Sequence, residues 1–145
     1  MEKDGILSML AKATLTHMGT LEKLCVLWNP RSYSLHSVHR FAAPAAVGRA
    51  LSPVQLSAGG LERLSTRLFL DSTHERGPER DLRLFVERLE RWSAPDEGSP
   101  LPPRLLFAWG SFRFRGVIEE LREEYVRFDA DGTPVRAWVD LTLRR

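Results

Sequence analysis

The sequence predicts an α+β domain, mainly β, arranged as two packed antiparallel sheets or an open barrel with one amphipathic helix. Three observations carry that expectation. Apolar residues alternate with polar ones in several segments, most cleanly in residues 135–143, where Val135, Ala137, Val139, Leu141 and Leu143 share one face. Only one segment combines helical spacing with start signals: Leu82, Phe85, Val86, Leu89 and Trp92 form one stripe. In residues 102–119, Leu105, Phe107 and Trp109 precede Gly110-Ser111, and Phe112, Phe114 and Ile118 follow with the parity reversed. A turn or bulge at Gly110 that re-aims the apolar set accounts for the reversal, with a strand on each side.

Taken in order, residues 6–18 have patchy helical spacing and no clear cap, so residues 1–20 are expected to be an arm or short helix that orders on a partner, with the β domain over 21–145. Leu24, Val26 and Trp28 alternate in a first strand over 21–28. Asn29-Pro30-Arg31-Ser32 then supplies turn chemistry and a second strand runs over 33–40, so the two are expected to form a hairpin. Residues 41–60 are rich in Ala, Pro, Ser and Gly without lasting period and are expected to form a long interaction loop. Leu64, Thr66, Leu68 and Leu70 against Arg63, Ser65 and Arg67 give a third strand over 62–71. The helix is expected to be capped by Gly77, to have Pro78 in its first position and Glu79 and Asp81 in its first turn, and to end at Ser93-Ala94-Pro95. Beyond the central stretch, strands over 124–128 and 135–143 flank Asp129-Ala130-Asp131-Gly132-Thr133-Pro134, a hairpin turn.

Composition narrows the function. The 145 residues suffice for one core. A single cysteine, Cys25, excludes an internal disulfide or a cysteine-based zinc site. Lys and Arg number 21 against 19 Asp and Glu, a net charge of +2 that gives no electrostatic case for nucleic acid. Residues 1–5 carry acids where a secretory leader would be basic, and no apolar run nears the roughly 20 residues that cross a bilayer. A protein made and kept in the cytosol without a signal peptide until something larger exports it, and with no direct membrane contact, is the resulting expectation.

No catalytic set emerges. His36 and His39 are three apart in a strand and so face opposite ways, with no acid or cysteine nearby. Asp129-Ala130-Asp131-Gly132 has too few acceptors, and its glycine comes too early, for a calcium loop. Ser111 lacks the second glycine of a nucleophile elbow, and Gly59-Gly60 lacks the Gly-Lys-Ser or Gly-Lys-Thr of a phosphate loop. The expectation is therefore no enzyme and no cofactor or metal. An alternative function comes from Phe112-Arg113-Phe114-Arg115, which interleaves aromatics and cations as base-stacking strands do; it would make this a nucleic-acid-binding β domain.

Four ordered segments resemble the tube-type proteins of contractile injection systems, the phage-tail-like particles of bacteria. They are residues 27–34 with Asn29, Pro30 and Tyr33; residues 54–60 followed by 64–71, ending in Asp71; residues 103–118 with Phe107, Trp109, Gly110, Phe112, Phe114 and Gly116; and residues 128–137 with Gly132 and Pro134. Trp28 replaces the usual phenylalanine. The resemblance covers residues 21–145 and implies a tube-protein fold related to phage tail tubes and to type VI ring proteins. It implies self-assembly into a hexameric ring that joins or initiates the inner tube at the baseplate and spike, with tube, spike and baseplate proteins as partners and no nucleic acid. Such proteins often carry a LysM module after this domain, and this sequence stops at Arg145, which leaves an adaptor without LysM or a tube-layer subunit as expectations. Arg63, Arg67, Arg113, Arg115 and Arg136 are the cations expected to set register between copies.

Overall fold

The structure, a computed structural model, describes residues 11–26, 29–40 and 60–145. Among the described residues seven strands form one antiparallel sheet: β1 (Thr14–His17), β2 (Lys23–Cys25), β3 (Tyr33–His39), β4 (Gly60–Asp71), β5 (Leu105–Trp109), β6 (Phe112–Phe128) and β7 (Pro134–Arg144). Their order is β2-β1-β5-β6-β7-β4-β3, so β2 and β3 are the two edges. A 3₁₀ turn (Gly77–Arg80) and one helix, α1 (Leu82–Trp92), are the other elements among the described residues. The mainly-β expectation with a single amphipathic helix therefore holds, in its open form: the sheet does not close into a barrel.

The organising strand is β6. Its first residues pair with β5, ending at Leu105 opposite Gly116, and from Val117 opposite Arg144 it pairs with β7 instead. One 17-residue strand thus belongs to both halves of the sheet. A register shift between Ile118 and Glu120 bends it, as bulges do. The sheet curls back on itself, because Tyr33 of the edge strand β3 stacks on Phe112 at 4.4 Å and meets Phe107 and Trp109 of β5 edge-on, although β6, β7 and β4 separate those strands in the sheet order.

Inside the curl the period-two residues make the core. Leu64, Leu68 and Leu70 of β4, Leu105 and Phe107 of β5, Phe114 and Ile118 of β6, and Ala137, Val139, Leu141 and Leu143 of β7 are all buried there. From α1, Leu82, Val86, Leu89 and Trp92 are buried in the same cluster, which is the stripe the spacing predicts. The helix begins later than the expected cap at Gly77. Asp81 is the N-cap, accepting from the Arg83 N–H at 3.0 Å, and Pro78 sits in the preceding 3₁₀ turn. At Gly110 the expected turn is a two-residue hairpin with Trp109 opposite Phe112; Gly110 has φ of 60°, a value glycine adopts without strain.

Three expectations are corrected. Residues 14–17, within the segment read as an arm or short helix, are β1, hydrogen-bonded to β5 on one side and β2 on the other, with Ala13, Leu15 and His17 buried. The first two predicted strands do not form a hairpin: β2 pairs with β1, whereas β3 crosses to the far edge and pairs with β4. The predicted strand over 124–128 is the end of β6 rather than a separate element. The expected interaction loop falls on residues 41–59, which lie outside the described residues together with Trp28.

Candidate assembly surfaces

Most of the residues that carry the family resemblance meet in one place, around the start of β1 and the β5-β6 hairpin. Asn29 ties down the chain that enters β1: its Oδ1 accepts from the Ala13 N–H at 2.9 Å and its Nδ2 donates to the Ala11 carbonyl at 2.8 Å. The indole N–H of Trp109 donates to that same carbonyl at 3.1 Å. Pro30 is buried, and Tyr33 lies over Phe107 and Phe112 as described. Gly116 sits where β6 changes partners, and a Cβ there would lie 2.5 Å from the Arg144 carbonyl oxygen, so no other residue fits without moving β7. Gly132, at φ of 91°, turns the last hairpin, and Pro134 behind it is buried. Asp71 accepts from the Thr73 N–H and hydroxyl at 2.9 and 2.7 Å and pairs with Arg136 at 3.0 Å. Burial alone would raise its pKa, but these hydrogen bonds outweigh burial and hold it below the usual carboxylate range.

Among the arginines expected between copies, three have partners within the chain. Arg63 forms a two-pronged pair with Glu119, at 2.6 and 2.9 Å, and its hydrogen bond holds the Glu119 pKa down. Arg67 lies over the Trp138 ring at 4.5 Å, between Asp140 at 3.4 Å and Glu124 at 3.7 Å. Arg136 is the partner of Asp71. Arg113 donates to the Gly110 and Phe112 carbonyls, bracing its own hairpin, and Arg115 is exposed without an ion pair among the described residues. Arg67, Asp140 and Arg122 fall in one register row, and Asp71, Arg136 and Arg127 in another. On the solvent face of β4, β7 and β6 each row therefore sets two arginines beside one aspartate, with Arg67 and Arg136 as the paired cations.

Two further surfaces stand apart from this face. On β3, Leu35 lies opposite buried Leu64 on the core side of the sheet, yet 55% of it is exposed. Residues 29–40 contain Arg31, His36, His39 and Arg40 and no acid. At the other end, a groove of about 390 Å³ runs beside the 3₁₀ turn and α1, lined in part by Glu75, Glu79, Leu84, Phe85 and Arg88. Arg88 reaches Glu22 at 3.9 Å, which places this groove next to the β1-β2 turn. In that turn Leu21 is 71% exposed and has φ of 64°.

Several structural residues carry only a faint signal in the sequence. His17 is buried; its Nδ1 accepts from the Gly19 and Thr20 N–H groups at 3.1 and 3.0 Å, which puts the proton on Nε2, facing Asp96 at 3.5 Å. The alternation Ala13, Leu15, His17 could have revealed it. Arg80 grips Asp129 with two hydrogen bonds at 2.6 and 2.7 Å and donates to the Thr73 and Glu75 carbonyls, joining the 3₁₀ turn to the last hairpin. Glu123 accepts from the Tyr125 hydroxyl at 3.2 Å beneath α1; burial first, and then the neighbouring Glu90, push its pKa up to about 6.

Neither ring of the alternative nucleic-acid surface is presented. Phe114 is only 3% exposed and has Arg145 over it, and Phe112 gives one face to Tyr33. The parity of β6 turns its aromatics inward and leaves Arg113 and Arg115 outside. Among the described residues no three His, Cys, Asp or Glu side chains converge as metal ligands, and no helix is long and apolar enough to cross a membrane.

No curated protein matches the sequence. The family model for the contractile injection system tube protein matches residues 7–145, which includes β1 as well as the 21–145 span of the resemblance. Its reach over nearly the whole chain, on a sheet whose motif residues brace the β5-β6 hairpin and the β6 crossover, establishes that this chain belongs to the contractile injection system tube protein family.

Proposed function

We propose that the chain is a non-enzymatic structural subunit that assembles with copies of itself into a ring, hexameric in the tube-type pattern, and that the ring joins or initiates the inner tube at the baseplate and spike end of the particle. The observation that carries this reading is the open sheet of a tube-family domain: β2 and β3 are edges at opposite ends of the strand order. Unpaired edges are hazards for a monomer, whereas a head-to-tail arrangement uses two different surfaces of each copy and closes into a ring. Tube, spike and baseplate proteins are the partners on this reading, and assembly takes place in the bacterial cytoplasm. The residues matching the family motif, from Asn29 to Pro134, act by holding the subunit in shape rather than by contacting cargo.

Native mass spectrometry and negative-stain electron microscopy of the purified chain, alone and mixed with its tube and spike proteins, test the proposal. Closed rings that cap tube ends near the spike are expected. Rings found only within the tube layer would overturn the terminal position, and a protein that stays monomeric at high concentration without retaining tube or spike would overturn the ring.

A further inference from the structure

Resting on the ring reading, we propose that its subunits meet by docking β3 of one copy into the groove beside α1 of the next. Three independent features point to this pair of surfaces. The first is an exposed apolar residue: Leu35 faces the core side of the sheet opposite buried Leu64, yet 55% of it is exposed. The second is a matching apolar floor. Leu84, 47% exposed, and Phe85 line the groove, and the tip of the adjoining β1-β2 turn carries Leu21. Leu21 is 71% exposed and is held at a φ of 64°, which L-residues disfavour. The third is charge. The β3 segment offers Arg31 and Arg40 with no acid, whereas Glu75 and Glu79 line the groove.

The two surfaces differ, so the contact is heterologous: each copy gives β3 to one neighbour and its groove to the other, which is the arrangement that propagates around a ring. Leu35 then comes to lie against Leu84 and Phe85, while the arginines meet the glutamates and fix the seating. Arg63, Arg67 and Arg136 take no part, because each is already matched within the chain.

Charge reversal tests this directly. Arg31→Glu with Arg40→Glu, or Glu75→Lys with Glu79→Lys, should lower the assembled fraction in native mass spectrometry at least tenfold. The four changes together should restore it, since the attraction is then reversed rather than removed. In a Cys25→Ser background, Leu35→Cys and Leu84→Cys chains should cross-link only when mixed. This pair changes no charge and decides the matter if a reversed variant fails to fold. Rings that persist through both reversals, or that form without any cross-link in the mixture, would overturn the docking while leaving the ring intact. A wild-type chain that never assembles would remove both.

Discussion

Gly116→Ala is the sharpest test of how the two halves of this sheet are joined. Glycine stands there because β6 passes so close to the end of β7 that an added Cβ would lie 2.5 Å from the Arg144 carbonyl oxygen and 2.8 Å from its carbon. Both distances are roughly 1 Å inside ordinary contact between heavy atoms. The atoms in the way are backbone atoms of a strand in register with Val117 and Ile118, so no side-chain rotation relieves the clash. Overpacking a well-filled interior costs about 1–3 kcal/mol, and a rigid neighbour puts this site at the upper end. At about 2–4 °C per kcal/mol for a domain of this size, the melting temperature should fall by about 6–12 °C. Thermal melts with a urea titration give both quantities, and the urea slope should stay unchanged if only the native state suffers. A loss under about 2 °C would refute the claim that the crossover is closed to a methyl group.

Three further outcomes are expected. Leu21→Gly should raise monomer stability by about 0.5–1 kcal/mol, because a left-handed backbone costs an L-residue about 1–2 kcal/mol and the extra freedom of unfolded glycine takes back part of that; chemical denaturation checks this, and a net loss would contradict it. Glu123 has a folded pKa of about 6, above its unfolded value, so its stabilising share is complete below about pH 4.5 and is lost as the pH rises through 6. Glu123→Gln should therefore be more stable than wild type above pH 6 and indistinguishable below pH 4.5, whereas parallel melting curves from pH 4 to 7.5 would rule the shift out. Phe114→Ala should cost about 3–5 kcal/mol, as truncating a buried aromatic does, and Phe112→Ala distinctly less; equal losses in denaturation curves would mean the inward parity of β6 is misassigned.

What the sequence disclosed, and what it hid, follows from the range of each signal. Period two over 62–71 and 135–143 placed the core faces of β4 and β7, because a buried sheet face leaves its mark residue by residue. The stripe of α1 was equally plain. β1 was fainter: Ala13, Leu15 and His17 do alternate, but so short a run does not tell a strand from an arm, and its pairing comes from β5, some 90 positions away. The second half of β6 was read only at its end: Glu119, Glu120, Glu123 and Glu124 hide the alternation, and the bulge after Ile118 resets its phase. Asn29-Pro30-Arg31-Ser32 has the chemistry of a tight turn, but the chain there travels from one sheet edge to the other, a route that local preference cannot encode. The motif residues were legible as a set through resemblance alone. That Asn29 and Trp109 share the Ala11 carbonyl is a tertiary fact with no trace in spacing.

The long β6 strand also bears on how the subunit responds to force. Tension applied along it is met by hydrogen bonds to β5 near one end and to β7 near the other. Bonds loaded lengthwise yield together rather than peeling open one at a time, so neither half can slip while the other stays in register. Under load along β6 the two halves of the sheet therefore act as one body.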